Sequence, residues 1–113
     1  MTRVTETTNY LRAGVRIPVE LPVQVRWKGS AGKYRTAEGR TASMSGNGML
    51  MAIPIRLRHE MPITVTVTFP VEVTKVPIEL RCRGRVVRQH TGDRTSVGAI
   101  IDEYSFRRIP RPA

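Results

Sequence analysis

The sequence has very little of the chemistry that enzymes and metalloproteins use. It contains one cysteine, Cys82, and two histidines, His59 and His90, which fall in predicted loops. These residues do not supply a zinc ligand set, and a lone cysteine rules out a disulfide within the chain. Signatures such as GxSxG, the P-loop and GxGxxG are absent as well. We therefore expect no catalysis, no metal and no cofactor, and we expect Cys82 to be a small buried apolar residue.

Long hydrophobic runs are also missing. No segment approaches the ~20 apolar residues that a membrane-spanning helix needs. Residues 1–10, MTRVTETTNY, lack the apolar centre of a secretory signal. A length of 113 residues suits one domain. The expectation is a cytoplasmic, single-domain protein that does not insert into a membrane.

Acidic residues are scarce relative to basic ones. The chain has 9 Asp and Glu against 19 Lys and Arg, a formal net charge of +10. Such a charge attracts an anionic partner. Arginine outnumbers lysine, and its planar guanidinium suits phosphates and guanine edges. Aromatic residues make up only 5% of the chain, which disfavours single-stranded nucleic acid because its binding sites use stacking platforms.

Apolar and polar residues alternate with a period of two in short segments separated by turns, as in half-buried β-strands. The predicted strands are 19–27, 34–43, 48–53, 61–73, 78–88 and 96–101. The continuous apolar run 48–53 predicts a strand buried on both faces, and Gly84 marks a bend or bulge. Residues 102–113 read as a tail. This pattern predicts an all-β sandwich or small barrel.

Two features remain that carry binding chemistry. Arg12 and Arg16 lie just before the first predicted strand, in a segment that can fold back over the mouth of a barrel. The turn SMSGNG (43–48) offers hydroxyls and backbone N–H groups, a combination that forms anion-binding nests. The simpler interpretation is a solvated basic face and an ordinary tight turn, in which Gly46 and Gly48 supply positive φ angles.

Together these segments resemble the PilZ domain family. The resemblance rests on four motifs in order: Arg12-Ala-Gly-Val-Arg16, Ser43-Met44-Ser45-Gly46-Asn47-Gly48-Met49, Arg83-Gly84-Arg85-Val86-Val87-Arg88 and Val97-Gly98-Ala99-Ile100-Ile101. In the family they are an RxxxR linker, a (D/N)xSxxG turn, a G-x-V-V-R strand and a closing V-G strand. The resemblance implies a six-stranded antiparallel β-barrel that binds cyclic di-GMP. Many members also carry a C-terminal helix, which this sequence lacks, because the two prolines of the tail do not fit a long helix.

The resemblance also divides the chain and assigns the ligand contacts. Residues 1–10 become a flexible N-terminal arm, 11–106 the barrel domain with its linker, and 107–113 a basic tail. The expected cyclic di-GMP contacts are Arg12, Arg16, Ser43, Ser45 and Gly48, with Leu11, Asn47 and Arg88 beside them. The arginines would grip guanine edges and phosphates, Ser45 would donate its hydroxyl, and Gly48 would let the backbone approach the ligand. Leu11 resembles the residue type that favours one ligand over a stacked pair.

One position departs from the family pattern. The turn begins with Ser43, where the family usually has Asp or Asn. A carboxylate there accepts from guanine N1–H and N2–H₂ together, whereas a hydroxyl accepts less and carries no charge. Losing a charge-assisted hydrogen bond costs roughly 1.5–3 kcal/mol, which is about ten- to hundred-fold in affinity. The nearby Asn47 offers an amide that can compensate.

Three functions therefore stay open at this point. The first is a cyclic di-GMP receptor or adaptor whose linker orders over the barrel and changes the surface offered to a protein partner. The second is a degenerate PilZ-like interaction module that has lost the ligand, which Ser43 favours. The third, favoured by the net charge alone, is a basic barrel that binds nucleic acid. The sequence points to no particular protein partner, ligand stoichiometry or oligomeric state.

Overall fold

The computed structural model of the protein describes residues 18–71, 75–90 and 95–108. The linker residues Leu11, Arg12 and Arg16 lie outside this part of the chain. The regular structure of the described residues is six strands: β1 Pro22–Lys28, β2 Tyr34–Met44, β3 Gly48–Ala52, β4 Pro62–Phe69, β5 Ile78–His90 and β6 Ser96–Arg108. The predicted all-β class is confirmed.

The six strands close into one antiparallel barrel in the order β1-β2-β3-β6-β5-β4. Sequential neighbours pair along β1–β2, β2–β3, β4–β5 and β5–β6, whereas β1 with β4 and β3 with β6 close the ring. Closure satisfies the backbone groups that an open sheet would leave at its edges. The six-stranded barrel expected from the family resemblance is confirmed.

The barrel interior is filled by the inward positions of the alternating strands. Val25 in β1, Met51 in β3 and Val65 in β4 are completely buried, and each side chain of this size contributes about 1.5–3 kcal/mol through its removal from water. Cys82 is 1% exposed within the same core, which confirms its expected role as a small apolar residue. No helix in the described part of the chain has the length and apolar character to span a membrane.

Three strand predictions need correction. The run 48–53 is not buried on both faces: Met49 and Met51 point into the core, but Leu50 is only half-buried because a barrel wall has one interior face. The strand predicted over 61–73 ends at Phe69, before Pro70, which has no N–H for the ladder. Residues 102–108 are not a tail, because β6 continues to Arg108.

The extension of β6 pairs with the first half of β5. Phe106 lies opposite Leu80, and Tyr104 lies opposite Cys82. Both aromatic rings pack against the core, and Phe106 also contacts Phe69 with ring centroids 6.1 Å apart. Partial burial of these two rings makes residues 102–108 part of the barrel, and Tyr104 and Phe106 alternate with polar residues as in a strand.

Gly84 lies where β5 and β6 approach most closely. The register shifts between Arg83 and Gly84, which confirms the predicted bulge. A Cβ atom built on Gly84 would lie 2.0 Å from the carbonyl oxygen of Ile100. The close approach of these two backbones therefore requires glycine at this position.

The connection between β3 and β4 covers one end of the barrel. Leu57 is buried there at 4% exposure. Gln89 of β5 holds this connection: its Nε2 donates to the Ile55 carbonyl at 3.0 Å, and its Oε1 accepts from the Leu57 N–H at 2.6 Å. Gln89, a polar residue of β5, thus holds in place a connection that makes no strand pairing of its own.

Candidate functional site

A shallow groove of about 430 Å³ runs over the outer surface of β3, β6 and the end of β5. Four residues expected from the sequence line it: Ser43, Asn47, Gly48 and Arg88. The floor between them is apolar and consists of half-buried outward side chains, Leu50, Val87 and Ile100. The turn after β2 and the end of β5, which are far apart in sequence, therefore meet at one surface.

A bulge in β2 directs Ser43 toward this groove. Thr41 lies opposite Met51 and Ser43 lies opposite Leu50, with a register shift between Thr41 and Ser43. Met51 points into the core, but Leu50 points outward, so the bulge moves Ser43 to the outer face. Strict alternation would have left Ser43 on the inner face with Thr41. Neighbouring residues still cover Ser43, which is only 8% exposed.

A second bulge, in β5, moves Arg88 to the outer face of the barrel. Val86 lies opposite Ala99 in the core and Arg88 lies opposite Gly98, with a register shift between Val86 and Arg88. Arg88 is exposed as a result, and its Cβ lies 3.4 Å from where a Cβ on Gly98 would be. Gly98 thus leaves the groove open beneath the base of the arginine side chain.

Ser45 shapes the turn from within. Its hydroxyl lies 3.1 Å from Asn47 Oδ1 and 3.4 Å from the Gly48 carbonyl oxygen, and its N–H donates to that carbonyl at 2.9 Å. Ser45 is 7% exposed and does not line the groove. The expected ligand contact of Ser45 stays a prediction, and its observed hydrogen bonds stabilise the turn.

The two glycines of the turn do not have the backbone conformation expected of them. Neither Gly46 nor Gly48 has a φ in the left-handed region, where the only glycine of the described chain is Gly32. A Cβ on Gly48 would make a tight contact, 3.3 Å from the carbonyl oxygen of Ala99. The N–H groups of Gly46 and Asn47 make no hydrogen bond to any described residue, so both remain available as donors.

The chain leaves the described part of the barrel beside this turn. Thr41 Oγ1 donates to the Val19 carbonyl and accepts from the Leu21 N–H at 2.8 Å. Leu21 in turn accepts from the Thr41 N–H at 2.9 Å. Residue 16 precedes residue 19 by three positions, a span of at most about 10 Å. Ser43 lies two positions beyond Thr41 on β2, about 7 Å.

The groove carries positive charge and no acidic side chain. Arg88 makes no ion pair within the described residues, and neither Asp nor Glu lines the groove. His59 and His90 lie elsewhere; His90 is the last residue of β5 rather than a loop residue. Across the described residues no group of three His, Cys, Asp or Glu side chains is arranged to hold a metal. An anion therefore meets cationic and polar groups in the groove without opposition from a carboxylate.

Several lining residues could not be assigned from alternation alone. Leu50 and Ile100 occupy outward positions of strands that read as uniformly apolar, and Gly98 was part of a strand motif without an assigned role. The core does not cover an apolar side chain on the outer face of the barrel. Such side chains are therefore candidates for contact with a ligand or a partner. Knowledge of the register was needed to identify that face.

A family model described as the PilZ domain matches residues 10–110. That span includes the linker, the turn, both bulges and the complete barrel. A search among curated proteins returns no match.

Proposed function

The chain belongs to the PilZ domain family, and on that premise we propose that it is a cyclic di-GMP receptor that binds its ligand in the groove between the Ser43 turn and Arg88. The family is known for cyclic di-GMP binding, and its members act as ligand-binding and adaptor modules. The observation that carries the proposal is that the turn residues Ser43, Asn47 and Gly48 line one groove with Arg88. In support, Val19, three positions after Arg16, is held by Thr41, two positions before Ser43.

The chemistry of the groove suits such a ligand. Cyclic di-GMP carries two phosphates and two guanines, which need cations, hydrogen-bond donors and flat apolar contact. Among the lining residues, Arg88 supplies positive charge and Asn47 supplies hydrogen-bond donors. The half-buried Leu50 and Ile100 supply an apolar floor for a purine face. Arg12 and Arg16 then close over the ligand from the linker.

Ordering of the linker is the proposed response to the ligand. Thr41 fixes the chain at Val19 and Leu21, so residues upstream can rearrange without disturbing β1. Two arginines that bind the same anion lose conformational freedom together, and the segment between them is then held against the barrel. The ordered arm changes the surface presented to a protein partner, which makes the protein an adaptor and not an enzyme.

The central test is a calorimetric titration of the full chain with cyclic di-GMP. We expect a dissociation constant in the submicromolar to micromolar range, and loss of detectable binding in Arg16→Ala, because that guanidinium contacts the ligand directly. Arg35→Ala is the matched control. Arg35 is an exposed arginine at the other end of β2 that makes no ion pair within the described chain, so its loss should leave the affinity unchanged.

Two results would contradict the proposal. The first is an absence of heat and of any thermal shift with excess cyclic di-GMP for the wild type. The second is equal weakening by Arg16→Ala and Arg35→Ala, which would indicate diffuse attraction to a basic protein rather than a specific contact.

A second candidate function is favoured by Ser43 alone. If the hydroxyl has replaced a ligand-binding carboxylate, the barrel is an interaction module that no longer binds cyclic di-GMP. A wild type without affinity, together with a Ser43→Asp variant that binds, would identify this second function. High affinity of the wild type would eliminate it.

A further inference from the structure

A second concave surface lies at the other end of the barrel, where the turn between β1 and β2 meets the connection between β3 and β4. We call it the hairpin-end groove. It has a volume of about 610 Å³, and four cations line it: Lys28, Arg35, Arg56 and Arg58. No acidic side chain is among its lining residues. The groove is therefore uniformly positive.

The charges of this groove are not neutralised within the described chain. Lys28, Arg35, Arg56 and Arg58 make no ion pair there, and all four are exposed. Four arginines of β5 and β6 differ, since each has a carboxylate partner: Arg81 and Arg107 contact Glu79, Arg83 contacts Glu103, and Arg85 contacts Asp102 and Glu60. The hairpin-end groove thus gathers four cations that have no carboxylate partner in the described chain.

Apolar side chains form the floor beneath these cations. Trp27, Ile55 and Met61 line the groove and are each half-buried, at the edge of the core. Beside them, Tyr34 is 62% exposed, and the guanidinium of Arg26 lies 4.2 Å from the centre of its ring. The surface combines a cationic rim with an apolar pocket, so its ligand needs both negative charge and an apolar group.

The hairpin-end groove is separate from the proposed ligand groove. The two grooves share no lining residue, and Arg35 and Ser43, one from each groove, are eight positions apart on β2, about 26 Å along the strand. Electrostatic effects over such a distance are screened at physiological ionic strength, where the Debye length is about 8 Å. Substitutions at one groove therefore leave the affinity of the other intact.

We propose that the hairpin-end groove binds an acidic segment of a protein partner, with an apolar side chain of that segment entering between Trp27, Ile55 and Met61. The carboxylates of the segment pair with Lys28, Arg35, Arg56 and Arg58. Nucleic acid fits less well, because bases need exposed aromatic faces. Here Arg26 covers one face of Tyr34, Trp27 is half-buried, and the rest of the floor is aliphatic.

The test uses two short fluorescein-labelled peptides of equal negative charge, rich in Glu, one with leucine and one with serine at the centre. Fluorescence anisotropy at physiological ionic strength should show about tenfold tighter binding of the leucine peptide, since one leucine is buried. The double variant Arg56→Glu/Arg58→Glu should bind the leucine peptide about tenfold more weakly than the wild type. Labelled oligouridylate, measured alongside, should bind more weakly than the leucine peptide.

A charge-matched control separates this site from general attraction. Lys75→Glu/Arg108→Glu changes the net charge equally at two exposed cations that line neither groove and make no ion pair in the described chain. It should retain wild-type affinity for the leucine peptide. Equal weakening by both double variants, or equal binding of both peptides, would overturn the proposal. Tighter binding of oligouridylate, lost in Arg56→Glu/Arg58→Glu, would overturn it in favour of a nucleic-acid surface.

The outcome is independent of the proposed function. Arg56→Glu/Arg58→Glu should bind cyclic di-GMP as the wild type does, because neither substituted residue lines the ligand groove. If the protein fails to bind only the leucine peptide, the proposed cyclic di-GMP site is not contradicted. If it fails to bind only cyclic di-GMP, the proposal for the hairpin-end groove is not contradicted.

Discussion

Single side chains set the chemistry of the ligand groove, and Ser43 is the one that departs from the family pattern. It lies on the outer face of β2 because of the adjacent bulge, and its neighbours leave it 8% exposed. A group with so little contact with water has a strong effect on a ligand that reaches it, because its interactions are only weakly screened.

At this position we predict that Ser43→Asp strengthens cyclic di-GMP binding by about ten- to hundred-fold, because a carboxylate accepts from two guanine N–H groups with charge assistance. Calorimetry measures the affinity directly. Ser43→Ala is the control for loss of the hydroxyl and should not bind more tightly than the wild type. An aspartate variant with unchanged affinity would show that the side chain at 43 does not face guanine.

Cys82 illustrates how burial changes a titratable residue. Desolvation raises the pKa of its thiol from 9.0 to about 12. The unfolded chain therefore loses this proton at lower pH than the folded protein. The contribution of Cys82 to stability is complete below about pH 9 and is lost as the pH rises toward 12.

We predict that the native protein resists thiol modification by Ellman's reagent at pH 8, at least about a hundred-fold more than the urea-unfolded chain, because the reactive thiolate is scarce and inaccessible. Absorbance of the released thiolate gives both rates. Equal rates would mean that the core opens readily around β5.

At the scale of elements, bulges explain where alternation succeeds and where it fails. The segments 34–43 and 78–88 were predicted as strands because alternation is a local property, and β2 and β5 confirm them. The alternating pattern could not predict that Ser43 and Arg88 lie on the outer face, since each follows one extra residue that shifts the register of its strand. The family motifs indicated these two residues, and the register explains how the fold brings them to one groove.

Gly84 gives the corresponding stability prediction. Gly84→Ala should lower the free energy of unfolding by about 1–3 kcal/mol, because the new Cβ would require the β5 and β6 backbones to separate. Urea denaturation followed by tryptophan fluorescence measures the change. Gly98→Ala serves as the control, since its Cβ would meet nothing closer than 3.4 Å; an equal loss in both variants would contradict the argument from close approach.

At the scale of the whole molecule, the barrel carries two proposed binding grooves. Its closed topology could be expected from six alternating segments only through the family resemblance, because strand order depends on contacts between residues distant in sequence. The sequence could not predict which Lys and Arg side chains have a carboxylate partner in the fold and which do not. Lys and Arg are spread along the entire chain, and the paired register of β5 and β6 brings Arg83 and Arg107 opposite carboxylates.

The proposed response of the linker is also a property of the whole chain. We predict that saturating cyclic di-GMP slows tryptic cleavage after Arg12 and Arg16 by about tenfold, because residues held against the barrel do not enter the protease. Mass spectrometry of the fragments identifies the sites. Cleavage after Arg108 should not change with ligand, and unchanged cleavage after Arg16 would contradict linker ordering.

The hydrogen bonds of Thr41 with Val19 and Leu21 also have a kinetic consequence. They hold Val19 and Leu21 against β2 two positions before Ser43, so in the proposed binding mode the linker arginines are tethered to the barrel that carries the ligand. A short tether gives a local concentration in the millimolar range, so we expect linker closure to be a unimolecular step whose rate does not depend on the protein concentration.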